Sequence, residues 1–424
     1  MRLRFMMSIN PSKSEIANRD STEEVSFLPM EAIGEDGSLC LDRTRPIREL
    51  ETGYTYFRDG DVALAKITPC FENGKGAILK GLHGGIGFGT TELIVCRPRH
   101  KLTTAEFLHC LFTSTLFRRL GEAWMYGAGG QKRVPEAFVR NFRISLPPLL
   151  EQAAIIASLN RETDKIDALV SEQERLIELL KEKRRAAISH AVTKGLDSDV
   201  LLKESGVEWL GKVPGHWKVT IAKRVCQIFV PQRNKPELNS EGVGLPWVTM
   251  DLMGNKEVRI GDLFVSEKAA SVSGSRTLPR GAVVASCVGT FGVASVNNHD
   301  VIINQQLQAF IPTDLVAPEF LRLCVVSAGS HFEMIGTAAT VSYVNQAGFE
   351  NFPIGLPPKA EQFRILDYLD HLSRRIDDLI SESSTAITLL QERRSALISA
   401  AVTGKIDVRG LVAVEAEIAE AEAA

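Results

Sequence analysis

The 424-residue sequence predicts an α+β protein with a pseudo-two-fold repeat: two strand-rich domains separated by two long helices that form an antiparallel coiled coil. Three observations lead there. A 48-residue block occurs twice, each copy carries an apolar stripe at helical spacing, and short apolar runs broken by glycine precede each copy.

The first domain spans 1–145. Phe27-Leu28-Pro29-Met30-Glu31 is followed by Gly60-Asp61-Val62-Ala63-Leu64-Ala65-Lys66, a helix-like stretch opens at Glu106-Phe107-Leu108, and Asn141-Phe142 closes the segment. Short strands between glycine turns account for this pattern. The first helical spacer, 146–205, begins at Leu146-Pro147-Pro148-Leu149-Leu150-Glu151-Gln152, where the prolines end the preceding strand. After a short amphipathic turn (Ile155, Ile156, Leu159), apolar residues recur three and four apart, with Glu172, Glu174, Lys181, Lys183 and Arg185 outside the stripe. Within it, Ile166, Leu169, Leu176, Leu180 and Ile188 are the expected pairing residues. As a continuous helix, 160–193 would be about 50 Å long, and Gly195 stands where it should stop.

The second domain, 206–355, repeats the pattern at a distance. Trp247-Val248-Thr249-Met250-Asp251, Gly281-Ala282-Val283-Val284-Ala285-Ser286-Cys287, Glu319-Phe320-Leu321 and Asn351-Phe352 fall in the same order. The second helical spacer, 356–408, opens with Leu356-Pro357-Pro358-Lys359-Ala360-Glu361-Gln362. Its register is shifted by 210 and holds without a gap to Ala401-Val402-Thr403, with 23 of the 48 pairs identical. Chance does not produce that. Ile376, Leu379, Leu390, Leu397 and Ile398 are its expected pairing residues, and two such stripes in one chain bury each other most simply as a coiled coil. The alternative is that each helix packs on its neighbouring domain. Residues 409–424, rich in Glu and Ala, read as a helical extension without an assigned role.

Composition excludes several classes. Seven scattered cysteines with no C-x-x-C spacing argue against a disulfide framework or a structural zinc site, and for a reducing cytoplasm. Neither a signal peptide nor a membrane-spanning run is apparent. Asn10-Pro11-Ser12-Lys13 lacks the second proline and aromatic of a methyltransferase motif. Gly127-Ala128-Gly129-Gly130 and Gly289-Thr290-Phe291-Gly292 are too irregular for a phosphate loop and read as turns, and no Walker sequence occurs. His83, His100 and His109 have no metal-ligand spacing. No catalytic residue, metal or cofactor is therefore expected.

Taken together, the strand-rich segment, the L-P-P-x-x-E-Q motif, the charged helix ending near A-V-T and the repetition of the whole unit resemble type I restriction-modification specificity subunits. Val207-Glu208-Trp209-Leu210-Gly211 and Val213-Pro214-Gly215-His216-Trp217, which open the second domain, add to the likeness; the first domain lacks a counterpart and begins almost directly at Ser8-Ile9-Asn10-Pro11. The resemblance implies two target recognition domains, each reading half of a split double-stranded DNA site. It also implies helices that set the spacing and dock two methyltransferase (M) subunits, and a restriction-translocase (R) subunit that can join.

Residue types suited to base edges and phosphates then become candidates: Lys66, Thr68, Gln131, Lys132 and Arg133 in the first domain, and Ser286, Thr290, Gln305, Gln306 and Tyr343 in the second. Charge is a constraint. Residues 1–143 carry 20 basic against 17 acidic side chains and 208–353 carry 12 against 12, so a partner is expected to supply phosphate-binding charge. A non-reading assembly scaffold or regulatory decoy of the same ancestry is the alternative. An enzyme with unrecognised catalytic residues is a third class.

Overall fold

Neither 149–194 nor 359–402 contains a proline or glycine, so nothing interrupts the backbone ladder once it starts. In the computed structural model, which describes residues 1–128, 130–337 and 341–407, the two are single helices, Leu149–Lys194 and Lys359–Val402. The first exceeds the expected 160–193 arm because the turn around Ile155 is continuous with it; its 46 residues make about 69 Å at 1.5 Å each. Gly195, at φ 76°, supplies the left-handed residue that ends it, and Gly404, at φ 69°, ends the second.

The chain divides into two units, one formed by Met1–Glu174 with Ser384–Ala424 and the other by Arg175–Ser383. Sequence reading drew its boundaries between strands and helices; packing instead groups each strand-rich domain with one end of each helix. In the first unit Ile155, Leu159, Ile398, Ala401 and Val402 complete a core built on Leu3, Phe107, Phe117 and Phe142. Ala191, Val192, Ile365 and Leu369 do the same in the second, against Phe320, Phe332 and Phe352.

Within each unit the helix segments run antiparallel. Asp167 pairs with Arg394 at 3.0 Å in the first unit, and Arg184 with Asp377 at 2.8 Å in the second. Each pair is the other displaced by the 210-residue register. The inward positions alternate by four and three residues: Leu159, Thr163, Ile166, Val170, Gln173 and onward to Ala191, with Leu369, Ser373, Ile376, Ile380, Ser383 and onward to Ala401 in the same register. Among the expected pairing residues, Ile166, Leu180, Ile376 and Ile398 are buried, and Ile188, Leu390 and Leu397 half-buried. Leu169, Leu176 and Leu379 are exposed, which corrects their assignment. Each stands one residue before an inward position, about 100° of helix away from it.

Both domains place a four-stranded antiparallel sheet beside the helices. Its order is Met7–Ile9, Leu93–Pro98, Val62–Ala65, Gly76–Ile78 in the first, and Cys226–Phe229, Leu307–Pro312, Val283–Ser286, Ala294–Val296 in the second. Strand alternation sends Val62 and Leu64 toward Phe107 and Leu108, while Ala63 faces Leu28 and Phe57. A second sheet follows in each domain, with a parallel pair at its heart: Glu24–Leu28 beside Ile86–Gly89, and Leu245–Val248 beside Ile302–Ile303. The strand Thr55–Arg58 has no counterpart in the second domain among the described residues.

The repeated glutamine is what fastens each helix to its domain. Gln152 is buried, donates through Nε2 to the carbonyls of Leu102 and Pro147 at 2.8 and 2.9 Å, and accepts from the Thr103 hydroxyl at 3.0 Å. Gln362 donates to Leu315 and Pro357 at 2.9 and 3.0 Å and accepts from the Ala317 amide at 2.8 Å. Only an amide side chain can both donate and accept at such a site.

Candidate nucleic-acid interface

Two loops meet at the end of the central strand in each domain. In the first, Val62–Ala65 leads into Lys66, whose amide donates to the Glu92 carbonyl at 2.9 Å. Segment 126–134 folds back on it: Tyr126 and Arg133 exchange backbone hydrogen bonds at 3.2 and 2.9 Å, the Thr68 amide donates to the Lys132 carbonyl at 2.9 Å, and the Val134 amide to that of Lys66 at 2.8 Å. The second domain repeats every bond. Cys287 donates to Gln306 at 2.9 Å, Gly289 to Ser342 at 2.9 Å, Val344 to Cys287 at 3.0 Å, and Thr337 and Tyr343 bond reciprocally at 3.0 and 3.2 Å. Lys66 therefore corresponds to Cys287, Thr68 to Gly289, Glu92 to Gln306 and Arg133 to Tyr343.

This equivalence sorts the candidates. Gln131, Lys132, Thr290, Gln305 and Gln306 are exposed on these loops, and Lys66 and Thr68 are half-buried at their base. Ser286 is buried, with its hydroxyl donating to the Val288 carbonyl at 3.2 Å, so it cannot reach a base edge; it corresponds to Ala65 and serves its own turn. The Thr68 hydroxyl is likewise engaged, donating to the Lys132 carbonyl at 3.1 Å. Arg133 grips Glu92 through Nε and Nη2 at 2.8–3.1 Å. That hydrogen-bonded pairing holds the Glu92 carboxyl below its usual range and makes Arg133 a strut for the loop. Gln305 bridges to the Gln232 carbonyl at 2.8 Å, and the Gln306 amide oxygen accepts from Asn304 at 3.2 Å.

Sequence reading missed three residues here. Glu92 carries the strut, and its only sequence signal was its place ahead of the long strand Leu93–Pro98. Buried Gln308 approaches the Tyr343 hydroxyl at 3.5 Å and donates to the Val344 carbonyl at 3.2 Å. Tyr126 stands exposed at the neck of the first loop. Gly129 in the first glycine-rich turn and residues 338–340 in the second loop lie outside the described residues, as do 408–424 and with them the Glu/Ala-rich tail. Among the described residues no group of three or more His, Cys, Asp or Glu side chains converges on a possible metal position, and no helix is long and apolar enough to cross a membrane.

Comparison with known proteins assigns this architecture. Residues 214–389 match the family described as type I restriction modification DNA specificity domain. Over 173 residues the chain is 43% identical to the EcoEI specificity subunit and 44% to the EcoAI specificity subunit, both type I restriction enzyme subunits of Escherichia coli.

The chain belongs to the type I restriction-modification specificity-subunit family.

Those two alignments take in 41% and 40% of this chain and 28% of each relative's length. A longer alignment, 22% identical over 359 residues, joins 82% of the chain to 79% of the putative MjaX specificity subunit of Methanocaldococcus jannaschii. Solved structures extend the likeness in fold to almost the whole specificity-subunit chain. A chain from work on complex assembly and conformational transition of the type I R-M system superposes with a TM-score of 0.74 at 19% identity, covering 96% of this chain and 97% of its own. The HsdS subunit from Thermoanaerobacter tengcongensis gives 0.58 at 20% identity, with 96% of each chain covered.

Proposed function

We propose that this chain is the non-catalytic DNA-reading subunit of a type I restriction-modification complex, each strand-rich domain reading one half of a bipartite double-stranded target. One observation carries the reading: the same loop pair is built twice, bond for bond, on two domains whose exposed loop residues differ. A repeated scaffold with unlike tips suits two unlike half-sites. In the first domain Lys66, Gln131 and Lys132 are the candidates for base and phosphate contact. Thr290, Gln305, Gln306 and Tyr343 take that role in the second, which offers hydroxyls and amides without a cation. The shortage of basic charge gives a methyltransferase partner the task of neutralising phosphates. Exposed Leu169 and Leu379, equivalent under the repeat, offer two copies of one apolar docking surface, which suits two methyltransferase subunits. A restriction-translocase subunit joins the assembly so formed.

Exchange of residues 1–143 for the first domain of another family member tests this. In a host carrying the cognate methyltransferase, genome-wide mapping of methylated adenines is expected to show one half-site changed and the other retained. A hybrid that methylates an entirely unrelated sequence refutes independent reading, and one whose target is unchanged removes the first domain from recognition.

A further inference from the structure

The helix Thr115–Trp124 in the first unit buries Phe117 and Gly121 on one side and leaves Leu116, Leu120 and Trp124 bare on the other. These three stand four residues apart and form one stripe; Leu120 is 45% and Trp124 61% exposed. A continuous apolar face of this kind in a folded domain marks a surface that something covers.

The second unit shows what covers the equivalent place. Counting back from the matched pair Tyr126 and Thr337, Leu120 corresponds to His331 of the helix Gly329–Ile335. There Trp209 stacks on Phe352, ring centroids 5.4 Å apart at 15°, and lies 6.4 Å from the His331 ring. Trp209 reaches that position from the end of the first long helix: the repeat's Ala191-Val192-Thr193 enters the same core, the helix stops, and the chain turns over the domain. Phe352 is fully buried under this cover, whereas its counterpart Phe142 keeps 8% exposure.

The second long helix delivers the same ending to the first unit, with Ala401 and Val402 in its core. We propose that residues 408–424 cover the apolar stripe of the 115–124 helix, as the segment around Trp209 covers its equivalent. Length permits it: Trp209 lies 12 residues beyond Asp197, and 17 residues follow the matching Asp407. Chemistry fits as well. The segment supplies Leu411, Val412, Val414 and Ile418 as apolar groups, and its four glutamates against one arginine suit a stripe flanked by exposed Arg119.

Hydrogen–deuterium exchange on the full chain and on a chain ending at Asp407 tests the assignment. Removal of the segment is expected to speed exchange of the 116–125 amides about fivefold or more through easier local opening, leaving 329–335 unchanged. The full-length variant Ile418→Asp is expected to do the same. Exchange in the helix Ala105–Thr113 reports whether the shortened chain keeps its fold. Equal exchange in all three proteins overturns the proposal. Protection of 116–125 that appears only when a methyltransferase subunit is added also overturns it and gives the stripe to that partner.

Discussion

At the scale of single residues, the two motif glutamines have a clear energetic role. Each is enclosed, and each satisfies three groups at the junction of helix and domain. Replacing Gln362 by Met keeps the volume and strands the Ala317 amide with the Leu315 and Pro357 carbonyls. Orphaned buried groups cost about 1–3 kcal/mol each before water or relaxation intervenes, so a loss of roughly 2–4 kcal/mol is expected. Exchange should quicken in the helix Pro318–Ser327 and leave Ala105–Thr113 alone; Gln152→Met should show the converse. Uniform softening of both domains, or none, would show that the amides do not anchor their own domains. The motif was legible as a repeat, but its partners were not, because Leu102 and Leu315 lie 50 and 47 residues away along the chain.

Helix pairing is where sequence periodicity both succeeds and overreaches. A stripe of 3–4 spacing admits leucines on either flank, and only burial separates Ile166 from Leu169. The inward set predicts that Ile166→Ala or Ile376→Ala costs about 2–4 kcal/mol, in line with truncation of enclosed aliphatic groups. Leu169→Ser and Leu379→Ser should change stability by less than about 0.5 kcal/mol while weakening assembly with the methyltransferase. Denaturant titration and co-purification separate the two effects. A large stability loss from Leu169→Ser would place that residue in the seam after all. The ion pairs Asp167–Arg394 and Arg184–Asp377 are partly exposed and contribute little energy; they favour the antiparallel register, since like charges would meet in a shifted one.

At the scale of the whole molecule, the repeated helices imply a ruler. One heptad added at matched positions in both long helices keeps the seam facing inward and lengthens each by about 10.5 Å, close to three base pairs at 3.4 Å. Methylation mapping is then expected to show both half-sites kept and the undefined spacer widened by about three base pairs. Two residues added at the same places rotate the seam by about 200° and should abolish pairing. An unchanged spacer in a properly assembled heptad variant would mean the helices do not set the distance.

By itself the sequence determined the repeat, the two helices, the order of domains and the family, because each rests on local pattern: proline and glycine placement, 3–4 spacing, and a register of 210. It also placed the candidate loops, since glycine turns at strand ends are local features. Tertiary structure alone decided which side chains on those loops are already engaged. Arg133 is held by Glu92, 41 residues away, and the Thr68 hydroxyl by the Lys132 carbonyl, 64 residues away. Ser286 turns inward because its strand is covered on both faces. Likewise only the fold groups each domain with one end of each helix, because burial joins residues far apart in the chain and leaves no periodic trace in it.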